Sequence, residues 1–315
     1  MNQVPTLDPV LAAVLAADLR TFGPREPLSR ANLEAQRADY LRRRMPRAAG
    51  GPAMRESRTE TLTAPGREIR VRLHVPADAP ATGPALFYFN GGGWVWGSID
   101  SHDRIMRELS GRSGCRVVGV DYRKAPEAPF PAPFEDCLDG VRAVLARAGS
   151  FGIDPSRIAF GGDSAGGNLA LACGLAAEPV PSTLLLLYGA FDTELETGSY
   201  RAPFGDGSFG LSRADMALFL DWYLPSATMR RDPRAAPLHG VLARLRDVFI
   251  LGAGLDPLRD DSRNLAGRLA SSGVDHEFVE LAGANHGFLH LVGDVPLADA
   301  AIDRAAAHLR RVLAG

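Results

Sequence analysis

Eight short runs of strand-forming residues, spaced by helix-length stretches, constrain this chain more than any other feature. The runs cover 59–64 (TETLTA), 69–75, 85–90, 116–122, 157–162, 183–190, 247–253 and 276–281. The later ones, TLLLLYGA among them, are continuously apolar, as strands buried on both faces of a sheet must be. Segments 102–113, 134–148, 165–177, 261–272 and 297–313 have helix length. Alternation of this kind predicts an α/β fold, a mostly parallel sheet flanked by helices. No helix separates the first two runs, so the sheet is expected to open antiparallel and to be a mixed sheet of eight strands.

Two stretches depart from that rhythm. Residues 7–20 carry Leu7, Val10, Leu11, Val14, Leu15 and Leu19 at helical spacing, an apolar face that needs something to cover. Residues 29–43 read as a second, more polar helix containing Glu34, Arg37, Arg42 and Arg43, expected on a surface, and Gly50-Gly51-Pro52 closes this region. Residues 192–240 insert a Gly- and Phe-rich stretch and the segment LSRADMALFLDWYL between two strands. Insertions of that length usually serve function.

Composition removes several classes of function. Of 315 residues, 46% are hydrophobic and 23% charged, enough apolar material for a large core. A formal net charge of -2 offers no footprint for nucleic acid or an anionic membrane. Cys115, Cys137 and Cys173 are far apart, odd in number and without C-x-x-C spacing, so neither a disulfide framework nor a zinc site is signalled. The first twenty residues lack the pattern of a secretory signal, and no run approaches the length of a membrane span. A cytoplasmic protein is the expectation.

The chemistry begins at Gly162-Asp163-Ser164-Ala165-Gly166, a G-x-S-x-G that follows an apolar strand and leads straight into a helical stretch. A serine exposed on so sharp a strand-to-helix turn needs small neighbours, because Cβ atoms there would collide with strand and helix. The plain alternative is a tight turn with Ser164 as a helix N-cap. A second signal is Phe89-Asn90-Gly91-Gly92-Gly93-Trp94, an apolar strand ending in three glycines. Backbone lacking side chains can turn N–H groups towards a developing oxyanion, so Gly92 and Gly93 are the expected donors, with the N–H of Ala165 as the third. A phosphate-cradling loop would need a following Lys-Ser/Thr or G-x-G-x-x-G spacing, and the chain has neither.

Among seven histidines, chain order selects His286. Serine hydrolases built on such an elbow run nucleophile, acid, histidine, with the histidine on a loop after the last strand. His286 lies in AGANHGF, just past the run HEFVEL, and His290 is the next candidate. For the acid, Asp256 closes the strand DVFILGAGLD, with Asp192, Asp260 and Asp261 as weaker candidates. Asp256-Pro257 could equally be a helix start. HEFVE is not H-E-x-x-H, so a zinc-hydrolase reading fails, and the chemistry needs neither metal nor cofactor.

Taken together, NGGGWVWGS, DYRKAPEAPFPAPFEDC, GGDSAGGNLA, GLDPLRDDS and NHGF resemble the hormone-sensitive-lipase-like family of α/β-hydrolases, whose bacterial members are mostly esterases. The resemblance runs from about residue 70 to the C-terminus. It implies the α/β-hydrolase fold and a triad of Ser164, Asp256 and His286 with Gly92 and Gly93 in the oxyanion hole. It further implies a helical cap from residues 1–50 and 191–235 over a core of residues 51–190 and 236–315. The substrate is expected to be a small-molecule ester of short or medium acyl chain, or an aromatic one. Amide, carbamate or lactone hydrolysis would use the same machinery, and the fold also hosts non-catalytic ligand receptors. Trp94, Trp96, Phe204, Phe209, Trp222 and Phe288 are candidate pocket residues. Neither nucleic acid nor membrane is expected as a partner, and the resemblance implies a homodimer through the far sheet edge.

One departure stands out, Asn90 where the family typically has His. That histidine braces the glycine loop rather than moving protons, and an Asn side chain can also donate and accept hydrogen bonds. Replacing Asn90 by His is therefore expected to leave ester hydrolysis intact. A rise from almost no activity in Asn90→His, measured on p-nitrophenyl butyrate, would mean that the natural reaction is a different one.

Overall fold

The computed structural model describes residues 6–314. One sheet contains β1 (Met54–Ala64), β2 (Arg67–Pro76), β3 (Gly83–Phe89), β4 (Arg116–Asp121), β5 (Ile153–Asp163), β6 (Thr183–Leu187), β7 (Asp247–Leu255) and β8 (Asp275–Asn285). Their order across the sheet is β1-β2-β4-β3-β5-β6-β7-β8. β1 pairs with β2, and β2 with β4, antiparallel, while every later pairing is parallel. The expected mixed sheet of eight strands is thus present, and its antiparallel part lies at one edge.

The helices are α1 (Pro9–Phe22), α2 (Leu33–Ala48), α3 (Asp103–Ser113), α4 (Ala132–Leu145), α5 (Ala148–Phe151), α6 (Ala165–Ala176), α7 (Gly198–Arg201), α8 (Arg213–Tyr223), α9 (Arg259–Ser271) and α10 (Pro296–Leu313). Alternate side chains of the central strands serve two cores. Phe87, Phe89, Leu184, Leu186, Val248 and Ile250 join the layer of α4, α6 and α9. Leu86, Tyr88, Leu185, Leu187, Phe249 and Leu251 join that of α3 and α10. This is why the middle strands are apolar at every position: a period of two sends each neighbour to a different, equally dry layer.

The N-terminal helices differ in detail from their sequence pattern. Asp8 caps α1 by accepting from the N–H groups of Val10 and Leu11, with Pro9 in the first turn, so the helix begins two residues inside the apolar stripe read from the sequence. Of the apolar stripe only Leu11 is fully buried, and Val10 and Leu19 remain 43% and 56% exposed. α2 starts at Leu33 and runs beyond the expected end at residue 43, past Pro46 to Ala48. Arg47 in that last turn is held by Asp18 and Asp294, partners that no local pattern discloses. Within 192–240, α8 opens on a reciprocal capping box between Ser212 and Asp215. No described helix is long and apolar enough to cross a membrane.

Phe160 of β5 is fully buried, edge-on to both Phe87 and Phe89 at centroid distances of 5.9 and 6.2 Å. Phe160→Ala should destabilise the fold by about 3–5 kcal/mol in urea unfolding, the cost of a large core cavity. A loss below about 1 kcal/mol would contradict the packing of Phe160 between Phe87 and Phe89.

Candidate active site

The parallel strands deliver their C-terminal ends to one rim of the sheet, and the site is assembled there. β5 ends at Asp163, and Ser164 follows with φ 54° and ψ -120° before α6 begins. A non-glycine residue in that region stores on the order of 1–3 kcal/mol of strain. The turn is tied down by the Ser164 N–H bonding to the Leu187 carbonyl at 2.9 Å. A Cβ on Gly162 or on Gly166 would overlap the Phe89 carbonyl, so the glycines of the motif are demanded by the neighbouring strand.

His286 comes from the loop that ends β8, and its Nε2 lies 2.8 Å from Ser164 Oγ. Its Nδ1 lies 2.7 Å from Asp256 Oδ2, and Asp256 is wholly buried at the end of β7. The other oxygen, Oδ1, accepts from the Leu258 N–H at 2.9 Å. Asp256 therefore fixes the turn before α9 with one oxygen and the imidazole with the other, while the helix itself begins at Arg259 with Leu258 at its cap position, so the Asp-Pro pair is not the helix start. The ring of Tyr188 stands edge-on to the imidazole with centroids 5.2 Å apart.

The competing candidates are placed elsewhere. His290 is buried edge-to-face against His102 at 4.5 Å, and burial holds it well below the usual imidazole range. Asp192 faces His239, with Oδ1 3.1 Å from Nε2. Asp260 accepts from the Ser199 N–H at 2.7 Å. Asp261 accepts from the N–H groups of Phe191 and Asp192, and burial pushes its carboxyl well above the ordinary range.

The glycine loop after β3 wraps the serine from the other side. Gly92 and Gly93 have φ of 115° and 61°, and a Cβ on Gly93 would stand 2.5 Å from the ring of Phe219. Among the described residues neither N–H has a protein acceptor. Ala165 is the first residue of α6, where an N–H has no intrahelical partner and the helix dipole adds positive potential. Gly91, one residue earlier, donates its N–H to Asp163 Oδ1 at 2.9 Å, and Tyr88 donates its hydroxyl to the same oxygen at 2.7 Å. Burial would push the Asp163 carboxyl up, but His102, Tyr88 and Gly91 outweigh it and hold the carboxyl below the ordinary range. Asp163 thereby ties the glycine loop to the serine turn, a role hidden in the sequence behind the variable x of G-x-S-x-G. The polar atoms of His102, Asp163 and His290 lie within 4.8 Å of one another. Asp163 Oδ1 is already filled by two donors, so this cluster serves as a brace.

Asn90 supports the loop as well. Its Nδ2 donates to the Gly91 carbonyl at 2.7 Å, and its own carbonyl accepts from the Tyr122 hydroxyl at 2.8 Å. Its Oδ1 accepts from Lys124 Nζ at 3.3 Å, and desolvation lowers that ammonium to about 8.

The aromatic candidates divide. Trp94 stacks on Tyr223 at 4.4 Å, and Trp96 sits between Phe219 at 5.0 Å and Tyr40 at 5.4 Å. The Phe209 carbonyl accepts from Asn285 Nδ2 beside the His286 loop. Phe204 lies against the Arg259 guanidinium, and Trp222 and Phe288 are enclosed in the two cores. Tyr40, Tyr188, Phe219 and Tyr223 were not among the residues singled out from sequence. A cavity of about 600 Å³ lies along the outer flank of the glycine loop, bounded by Arg37, Leu41, Trp96 and Lys124, with none of the triad on its wall.

Residues 86–290 match the family described as alpha/beta hydrolase fold. The chain belongs to the α/β-hydrolases, in their hormone-sensitive-lipase-like branch. Three solved structures place it further. An ester-hydrolase from the metagenome of Lake Arreo, complexed with a bipyridine phosphonate derivative, is 35% identical over 98% of this chain and 100% of that chain, with a TM-score of 0.90. A hyperthermophilic esterase from the archaeon Pyrobaculum calidifontis is 30% identical over 97% and 98%, also at 0.90. A thermophilic carboxylesterase cloned from a metagenomic library is 36% identical over 91% and 99%, at 0.86.

Gly93→Ala would force an alanine to φ 61° and push its methyl into Phe219, displacing a candidate oxyanion donor. We expect about a hundredfold loss in kcat on p-nitrophenyl butyrate. Wild-type turnover by the folded variant would rule out this loop as the oxyanion site.

Proposed function

We propose that the chain is a serine carboxylesterase acting on short- to medium-chain or aromatic esters through an acyl-enzyme. The observation that carries this reading is the unbroken chain from Ser164 Oγ through His286 to the buried Asp256, at 2.8 and 2.7 Å. His286 Nε2 takes the Ser164 proton as Oγ attacks the ester carbonyl, and Asp256 stabilises the imidazolium that forms. The tetrahedral oxyanion is received by the N–H groups of Gly92, Gly93 and Ala165. Collapse breaks the bond to the alcohol, which leaves with the proton from His286. A water molecule then gives its proton to His286 and attacks the acyl-serine, releasing the acid and returning the proton to Ser164.

The enclosure of the serine supports small, dissolved esters over emulsified fat. Ser164 is 7% exposed, and the Tyr40, Trp96 and Phe219 rings stand in contact over the glycine loop. The printed descriptions of the structural relatives, ester-hydrolase, esterase and carboxylesterase, agree with ester chemistry.

A fluorophosphonate probe should label the wild type at a single site and leave Ser164→Ala unlabelled. On p-nitrophenyl acetate, butyrate and octanoate the variant should lose at least about 10⁴-fold in kcat/KM, and the wild type should prefer the shorter esters to octanoate and to an anilide. Equal labelling of both proteins would refute the assignment of Ser164.

A further inference from the structure

The arginines of α2 are not alike. Arg37 pairs with Glu34 and Glu127, Arg42 and Arg43 share Asp39, and Arg47 pairs with Asp18 and Asp294. Arg44, in the same helix, has no carboxylate within ion-pair distance and no protein hydrogen-bond acceptor among the described residues. Its Nε is buried and unsatisfied.

A buried guanidinium nitrogen without a partner is costly, so its position matters. Arg44 Nη2 stands 3.3 Å from where a Cβ of Gly287 would be, and Gly287 directly follows His286. With a residue step of about 3.8 Å, that puts the guanidinium within roughly 9 Å of the His286 Cα. The Arg44 guanidinium also lies over the ring of Tyr40, which itself contacts Trp96 beside the glycine loop. The carboxylates at the centre are occupied: Asp256 by His286 and Leu258, and Asp163 by Tyr88 and Gly91. A second arginine adds to this field. Arg25 likewise has no carboxylate in ion-pair range among the described residues, and desolvation with the charges of Arg44 and Arg43 lowers it, against the pull of Tyr40 and Asp215. An unpaired guanidinium next to the His286 loop favours an anion arriving from solution.

We propose that Arg44 is a specificity-determining residue that binds a free carboxylate on the substrate, so that the favoured substrates are monoesters of short dicarboxylic acids. This rests on the esterase reading above and narrows it. The guanidinium can take a carboxylate with two parallel N–H···O bonds, which lysine cannot reproduce.

The test uses matched pairs in which a terminal carboxylate replaces a methyl: monoethyl succinate against ethyl butyrate, monoethyl glutarate against ethyl pentanoate, and monoethyl adipate against ethyl hexanoate. For at least one pair, Arg44→Gln should lower the charged-to-neutral ratio of kcat/KM about tenfold or more, mainly through KM, with Arg44→Lys falling between. A merely structural role for Arg44 would depress both members of each pair alike and leave the ratios unchanged, which would overturn the proposal. Fluorophosphonate labelling of Ser164 in the same preparations separates the two levels: labelled protein with unchanged ratios refutes only the carboxylate site, whereas unlabelled wild type removes the hydrolase reading and this one with it.

Discussion

At Gly162 and Gly166 the end of β5 and the first turn of α6 press against the carbonyl of Phe89, and a methyl group at either position would overlap it. That contact brings the end of β3 against the end of β5. Everything the site does depends on it, because β3 carries the glycine loop and β5 carries Ser164. Without it, the glycine loop and the serine turn would not be held side by side. The strain of Ser164 at φ 54° persists only because this contact and the Leu187 hydrogen bond hold the turn from both sides.

Around this contact, charge is distributed so that each buried carboxylate has defined work. Asp163 faces back from the turn and gathers Gly91, Tyr88 and His102, fixing the loop. Asp256 faces forward and orients His286. The two acids sit at the ends of strands two places apart in the sheet, and neither can be replaced by an apolar residue without leaving donors unpaired in a dry interior. Asn90 and Lys124 complete the bracing on the outer side of the loop, an arrangement peculiar to a chain that has Asn at this position.

Much of this was legible in the residues themselves. A strand buried on both faces must be apolar throughout, so β5, β6 and β7 announced themselves. The sharp serine turn and the bare loop require glycines, and glycines in such settings are readable. Chain order singled out His286, and Asp256, at a strand end, was the first of several acids that fitted it. Other parts were not legible. Asp163 looked like filler between Gly162 and Ser164, because its partners Tyr88 and Gly91 arrive from another strand. Phe219 and Tyr40 looked like ordinary helix residues, because nothing local says which helix face will lie over which loop. The final turn of α2 is held by ions more than twenty residues away, at Asp18 and Asp294.

The residues alone determined the class of fold and the strand inventory and singled out a serine and a histidine, with several acids left as candidates, because local sterics, burial and chain order leave a direct record in the sequence. The tertiary structure alone decided that β3 lies between β4 and β5, which aromatic rings lie over the glycine loop, and that one arginine of α2 faces the His286 loop with no ion-pair partner among the described residues. Those are matters of lateral neighbours, and the order of strands and the seating of helices arise from the sum of many packing contacts that no single stretch of chain contains.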